Sequence, residues 1–153
     1  MQSQLCLASS FFSTSTEQTA VFAKELAKKV SMGSIICLEG DLGAGKTTFS
    51  KAFIAALAGV DEDAVQSPTF IYQNSYPCPN GTLHHFDLYR LHQEQEFVEL
   101  GFLDYFNHQS ICLIEWPCRI RPLLKSFILI KIAYVSEEER MINIQFIEAC
   151  PCL

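Results

Sequence analysis

Residues Gly40-Asp41-Leu42-Gly43-Ala44-Gly45-Lys46-Thr47 satisfy the pattern G-x-x-x-x-G-K-[ST] in full. Glycines let successive backbone N–H groups close around phosphate oxygens without Cβ interference, and a helix that follows points its positive end at the same anion. Lys46 supplies a compact charge for β- and γ-phosphates, and the Thr47 hydroxyl suits Mg²⁺, a hard ion that prefers oxygen. Thr48 is placed to meet the α-phosphate. A plain glycine turn entering a helix would account for Gly45 but leave Lys46 and Thr47 without a role. Such a loop also needs an acidic residue near the metal, at the end of a neighbouring apolar strand. Ile111-Cys112-Leu113-Ile114-Glu115 makes Glu115 the first candidate, either holding Mg²⁺ through water or polarising the attacking water. Asp87, after His84-His85-Phe86, is the second, with a turn-capping Asp as the competing reading. His84 and His85 are adjacent, so a strand would send them to opposite faces, and with His92 and His108 remote no zinc cluster is expected. His85 either orients Asp87 or simply packs.

These groups need strands and helices to hold them. Ser15-Thr16-Glu17-Gln18 reads as a capping box, and Val21, Phe22, Leu26 and Val30 follow at near-helical spacing, predicting a helix over 16–30 that stops by Gly33. Residues 35–39 form a short apolar strand, and Phe49, Phe53, Ile54 and Leu57 carry a helix to about Ala58. Strands over 70–76 and 82–88 flank Pro77-Cys78-Pro79-Asn80-Gly81 as an antiparallel pair with an elaborated loop. A short helix over 94–100 leads through Gly101 to another, then to a buried strand over 111–114. Strands over 127–135 and 141–147 are joined by a charged turn at Ser136–Arg140. The sum is a mixed α/β sandwich.

At 153 residues with 49% hydrophobic content, the chain reads as one domain able to bury roughly two-thirds of its unfolded surface. Charged residues make up only 18%, below the roughly 25% usual for soluble domains, and twelve Phe and five Tyr accompany them. That balance fits either a protein partner or a large aromatic core. A formal charge of −6 argues against wrapping a polyanion unaided, since nucleic-acid affinity comes largely from Lys and Arg on phosphates. Arg119, Arg121 and Lys125 are too few to reverse that and read as solvated surface. Seven cysteines, at 6, 37, 78, 112, 118, 150 and 152, show no Cys-x-x-Cys spacing, which suits reduced thiols and a cytoplasmic setting. Cys37 and Cys112 read as buried small hydrophobes, and Cys150-Pro-Cys152 as a frayed end. Lys131 interrupts the best apolar run, so no membrane segment is expected.

The phosphate loop, Ser67-Pro68-Thr69-Phe70, His85-Phe86-Asp87-Leu88-Tyr89-Arg90 and Ile114-Glu115-Trp116-Pro117 stand in order along the chain. With them, from about Thr16 through the last strands, it resembles the TsaE (YjeE-like) family, the ATPases of bacterial tRNA threonylcarbamoyladenosine biosynthesis. The resemblance implies a P-loop NTPase-type three-layer sandwich spanning 1–153 as a single domain, its sheet mixed, mostly parallel, with antiparallel strand pairs. It implies ATP and Mg²⁺ as ligands, and hydrolysis that supports threonylcarbamoyl transfer to adenosine 37 of ANN-decoding tRNAs. TsaB and TsaD are the implied protein partners, TsaC acts upstream, and tRNA is met indirectly through the assembly. Gly40 through Thr48 fall in the nucleotide loop, Thr69 in a switch-like segment near the γ-phosphate, and Asp87 and Glu115 in the metal and water region. Trp116 is implied beside the nucleotide or at the partner surface, and Arg90 in local pairing. Cys118 departs from the pattern, in which an acidic residue usually separates Trp-Pro from Arg.

No Asn-Lys dipeptide occurs, so the guanine-reading segment of a GTPase is missing and ATP is favoured. A P-loop small-molecule kinase is the enzymatic rival, since it too needs Lys46, Thr47 and an acidic base. A nucleotide-gated binding module is the other, with ATP ordering the Thr69 segment. No arginine finger is evident, so slow turnover alone and completion of the site by partners are expected.

Overall fold

The computed structural model describes residues 8–148. Helix α1 (Thr16–Ala27) opens on a variant of the expected box: Ser15 Oγ accepts from the Gln18 amide at 3.1 Å, but Gln18 Oε1 accepts at 2.9 Å from the amide of Thr14, one residue before the cap. It ends three residues before the expected Val30, because the amides of Lys29 and Val30 both turn in to Leu26 O. Strand β2 (Ile35–Glu39) and helix α2 (Lys46–Ala58) fall where the apolar pattern puts them. Strands β3 (Gln73–Cys78) and β4 (Gly81–Asp87) pair antiparallel as expected, but their connection is tight, with Cys78 facing Gly81 across Pro79-Asn80. Pro77 is tolerated inside β3 because β3 lies at the sheet edge. The expected strand start at Phe70 is displaced to Gln73. Tyr72 takes a left-handed φ of 65°, and the Ile71 amide turns back to Pro68 O, leaving Phe70 and Ile71 exposed. Helix α3 (Glu94–Glu99), β5 (Ser110–Glu115), β6 (Ser126–Tyr134) and β7 (Arg140–Glu148) complete the expected set. A further strand, β1 (Ala8–Ser13), had no signal of its own and forms by pairing with β7.

The seven strands make one sheet in the order β1-β7-β6-β2-β5-β4-β3. The central four, β6-β2-β5-β4, run parallel, and antiparallel strands close both sides. Alternation sends Ile36, Leu38, Ile111 and Leu113 toward α1 and α2, where Ala23, Leu26, Phe49 and Phe53 pack on them. The intervening Cys37, Cys112 and Ile114 face the other layer, with Phe97, Ile120 and Phe127. Cys37 and Cys112 are thus the buried small hydrophobes expected. Burial pushes the Cys112 thiol up to about 12 and raises that of Cys37 as well. His84 and His85 do point to opposite faces: His84 lies 4.2 Å from the Tyr105 ring, whereas His85 reaches toward Glu115 on the α2 side. The aromatic content is partly core, with Phe86, Phe97, Phe102 and Tyr105 in edge and tilted contacts. Cys150 and Cys152 lie outside the described residues. Among the described residues no helix is long and apolar enough to cross a membrane.

Candidate active site

The parallel strands β2, β4 and β5 end side by side, which gathers their C-terminal residues at one rim of the sheet. After β2 the chain turns at Gly40, where a Cβ would come within 2.7 Å of Ile132 O and 3.0 Å of Ala44 Cβ, so only glycine fits. Gly45 has φ 106°, a conformation that L side chains rarely adopt, and leads into α2. α2 has no side-chain cap and no acidic residue in its first turn, so its first amides are left for an anion. The result is a cleft of about 560 Å³ walled by the loop, the segment after the short 3-10 turn Glu62–Ala64 that carries Ser67 and Thr69, and the ends of β4 and β5.

Lys46 folds back across the loop: its Nζ donates to Gly40 O at 2.5 Å and Asp41 O at 2.9 Å, and sits 4.4 Å from the centre of the Trp116 ring. Burial lowers its pKa, and the carboxylates of Glu115, Asp87 and Asp41 oppose that effect. Glu115 is buried, and its Oε1 accepts from Ser50 Oγ at 2.7 Å and from His85 Nε2 at 2.9 Å. Burial alone would raise its pKa, but the His85 and Ser50 hydrogen bonds and the charges of His85 and Lys46 together hold it below the usual carboxylate value. An ionised carboxylate only accepts, so Nε2 carries the proton in that bond. His85 Nδ1 is buried without a hydrogen-bond partner among the described residues. Asp87 is also buried; its Oδ2 accepts from Thr69 Oγ1 at 2.9 Å and Ser67 Oγ at 3.1 Å, and its Oδ1 from the Tyr89 amide at 3.1 Å. The amide contact is the turn-capping role weighed above, and it coexists with the contact to Thr69.

Register makes Asp87 and Glu115 direct neighbours on β4 and β5. Lys46, Thr47, Thr48, Thr69, Asp87 and Glu115 therefore share one cleft, with Gly43, Gly45 and the exposed Leu42 at its wall. Gly40, Asp41 and Ala44 stand behind that wall and do not line it; the first two hold Lys46 through their carbonyls. Trp116 lines the cleft in a left-handed conformation, φ 60° and ψ 50°, with the Tyr89 ring 5.0 Å away. For a non-glycine residue that is a sparsely populated state, of the kind that clusters at functional sites. Arg90 stacks locally, 4.3 Å from the Phe70 ring, and Arg119 reaches Tyr89 O at 3.4 Å.

His85 neither orients Asp87 nor simply packs: residues 85 and 87 share a strand face, but the imidazole bonds to Glu115 on β5. Ser50 was readable in principle, being one helical turn beyond Lys46 and so on the same side of α2. Arg140 also lines the cleft, and nothing in the sequence pattern pointed to it.

The donor set fits a small hard cation. Thr47, Asp87 and Glu115 offer oxygen only, and Glu115 Oε2 receives no hydrogen bond from the described residues. Among those residues no group of three or more His, Cys, Asp or Glu side chains is arranged to hold a metal ion.

Residues 13–142 match the family described as "Threonylcarbamoyl adenosine biosynthesis protein TsaE". Relatives named tRNA threonylcarbamoyladenosine biosynthesis protein TsaE include one from Rickettsia felis, 39% identical over 84% of this chain and 74% of the relative. Those from Bacillus subtilis and Aquifex aeolicus are 40% and 38% identical, over 83% and 85% of this chain and 78% and 90% of theirs. The crystal structure of Bacillus subtilis YdiB superposes with a TM-score of 0.72 at 32% identity, covering 90% of this chain and 84% of that one.

Proposed function

We propose, for a chain that belongs to the TsaE family of threonylcarbamoyl adenosine biosynthesis proteins, that the cleft binds Mg²⁺·ATP and hydrolyses it. In this reading the hydrolysis supports threonylcarbamoyl transfer to adenosine 37 of ANN-decoding tRNAs, within an assembly with TsaB and TsaD in the cytoplasm. The observation that carries it is the placement of two buried carboxylates, Asp87 and Glu115, on one rim with Lys46 and Thr47 at the start of α2.

The phosphates would lie over the Gly43–Thr48 amides, and Lys46 would exchange its bonds to Gly40 O and Asp41 O for the β- and γ-oxygens. Thr47, Asp87 and Glu115, directly or through water, would hold Mg²⁺, which supplies neutralisation of charge on the phosphate oxygens. Glu115, fixed by Ser50 and His85 through one oxygen, orients the water that attacks the γ-phosphorus as the bond to the β-phosphate oxygen breaks. Thr69, hydrogen-bonded to Asp87, gives the segment carrying Phe70 and Ile71 a link to the γ-phosphate region. Because that segment exposes both apolar side chains, nucleotide-gated association with a protein partner is a second reading that shares the same site.

The test is phosphate release from Mg²⁺·ATP by the purified chain, alone and with TsaB and TsaD, using Lys46→Ala as the blank. Release that depends on Lys46 supports the ATPase reading. Phosphate appearing only on an added acceptor would mark a kinase, and no release under any condition would leave a nucleotide-gated binder.

A further inference from the structure

The Arg140 guanidinium is committed on two sides. Its Nε donates to Ala44 O at 2.7 Å and its Nη2 lies 3.4 Å from Gly43 O, both in the phosphate loop. Its Nη1 donates to Ser136 O at 2.6 Å and Glu139 O at 2.8 Å, in the turn between β6 and β7, with Glu137 O at 3.3 Å. Tyr134 supports the group from below, with its ring centre 4.8 Å from Cζ, and Arg140 is itself the first residue of β7, in register with Tyr134. The side chain thus ties the loop to an element that is already fixed in the sheet.

A trans peptide plane directs its C=O and its N–H to opposite sides. Gripping Ala44 O therefore fixes the plane that carries the Gly45 amide, and aims that N–H away from Arg140. The Ala44 amide is already spent on Asp41 O at 3.0 Å, so the Gly45 amide is the one the clamp leaves for a ligand. Gly45 lies in the cleft wall at φ 106°, a residue whose own backbone offers little resistance to reorientation. On the reading of the cleft as a nucleotide site, we propose that Arg140 is a positioning residue: it holds the phosphate loop by its carbonyls in its phosphate-binding shape, and is not an arginine finger. Arg140 lines the cleft, but all three of its nitrogens are already directed to carbonyls of the loop and the turn, where a finger would keep them for the phosphates.

The experiment compares Arg140→Met and Arg140→Lys with the wild-type chain in two measurements. In the nucleotide-free protein, backbone ¹⁵N order parameters of Gly43, Ala44 and Gly45 should fall from the rigid range of about 0.85 toward about 0.6 in both variants. Affinity for a fluorescent N-methylanthraniloyl-ATP should fall about tenfold or more in Arg140→Met and less in Arg140→Lys, which keeps the charge but loses the fork. A role limited to bracing the β6–β7 turn would lower the melting temperature while leaving loop order and affinity as in wild type, and that result overturns the proposal. If Arg140→Met fails to fold, Arg140→Lys decides by the same two readouts. If the wild-type chain does not bind the analogue, the nucleotide reading fails on its own, and the order parameters still decide whether the clamp exists.

Discussion

Glu115 accepts two buried donors through the same oxygen, Oε1, which leaves Oε2 for water or metal and sets its direction. Asp87 is restrained differently, by two hydroxyls from the Ser67–Thr69 segment and an amide from its own turn. The two carboxylates therefore answer to different parts of the molecule, Glu115 to the sheet and α2, Asp87 to a surface segment. At this scale Lys46→Ala should abolish most nucleotide binding, since it removes the charge nearest the phosphates. Glu115→Ala and Asp87→Ala should leave binding within a few-fold while slowing phosphate release by roughly 10²-fold or more. Single-turnover phosphate release with separately measured nucleotide affinity checks this; wild-type hydrolysis in both carboxylate variants would remove them from the mechanism.

Elements set how those side chains arrive. α1 depends on a reciprocal cap, and Ser15→Ala should cost about 1 kcal/mol of folding stability by orphaning the Gln18 amide, read by urea denaturation. β4 carries His84 into the layer opposite α2, where burial lowers its pKa below 6.5. A depressed folded-state value means the unfolded chain takes up the proton first. The stability this group contributes is complete above pH 6.5 and is lost as pH falls through the folded value. His84→Gln should accordingly flatten the acid limb of a stability-against-pH curve just below pH 6.5, measured by chemical denaturation in steps of pH; an unchanged limb would mean that His84 does not titrate between the two states. The late start of β3 has a functional side too. By breaking the strand at Tyr72, the chain frees Ser67 and Thr69 to reach Asp87 rather than joining a sheet edge.

At the scale of the whole molecule, the cleft is open to one side, with Leu42, Phe70 and Ile71 exposed near it, and Arg140, the guanidinium in its wall, is held by backbone carbonyls. A net charge of −6 leaves little independent attraction for tRNA, and both observations fit the proposed dependence on a protein assembly. The chain alone should therefore turn over ATP slowly, and TsaB with TsaD should raise phosphate release by tenfold or more, roughly the scale of one supplied transition-state contact. Steady-state release titrated with the two proteins measures this; a rate that stays flat would contradict completion of the site by partners.

The local pattern of the cleft was legible in the sequence. A glycine loop between an apolar strand and a helix, and acidic residues ending two further apolar runs, are patterns within a few residues of chain, and the pairing of β2, β4 and β5 then placed Lys46, Asp87 and Glu115 together. The cap at Ser15 and the burial of Cys37 and Cys112 were legible for the same reason, since spacing and side-chain type decide them. What spacing could not carry was any contact whose partner lies far along the chain. β1 exists only because β7 offers it an edge, His85 chooses Glu115 over Asp87 only because β5 lies beside β4, and Arg140 meets Ala44 across 96 positions. Hydrogen bonds of that kind have no signature in either residue's neighbours. Their geometry follows from strand order and register, which the folded sheet alone decides.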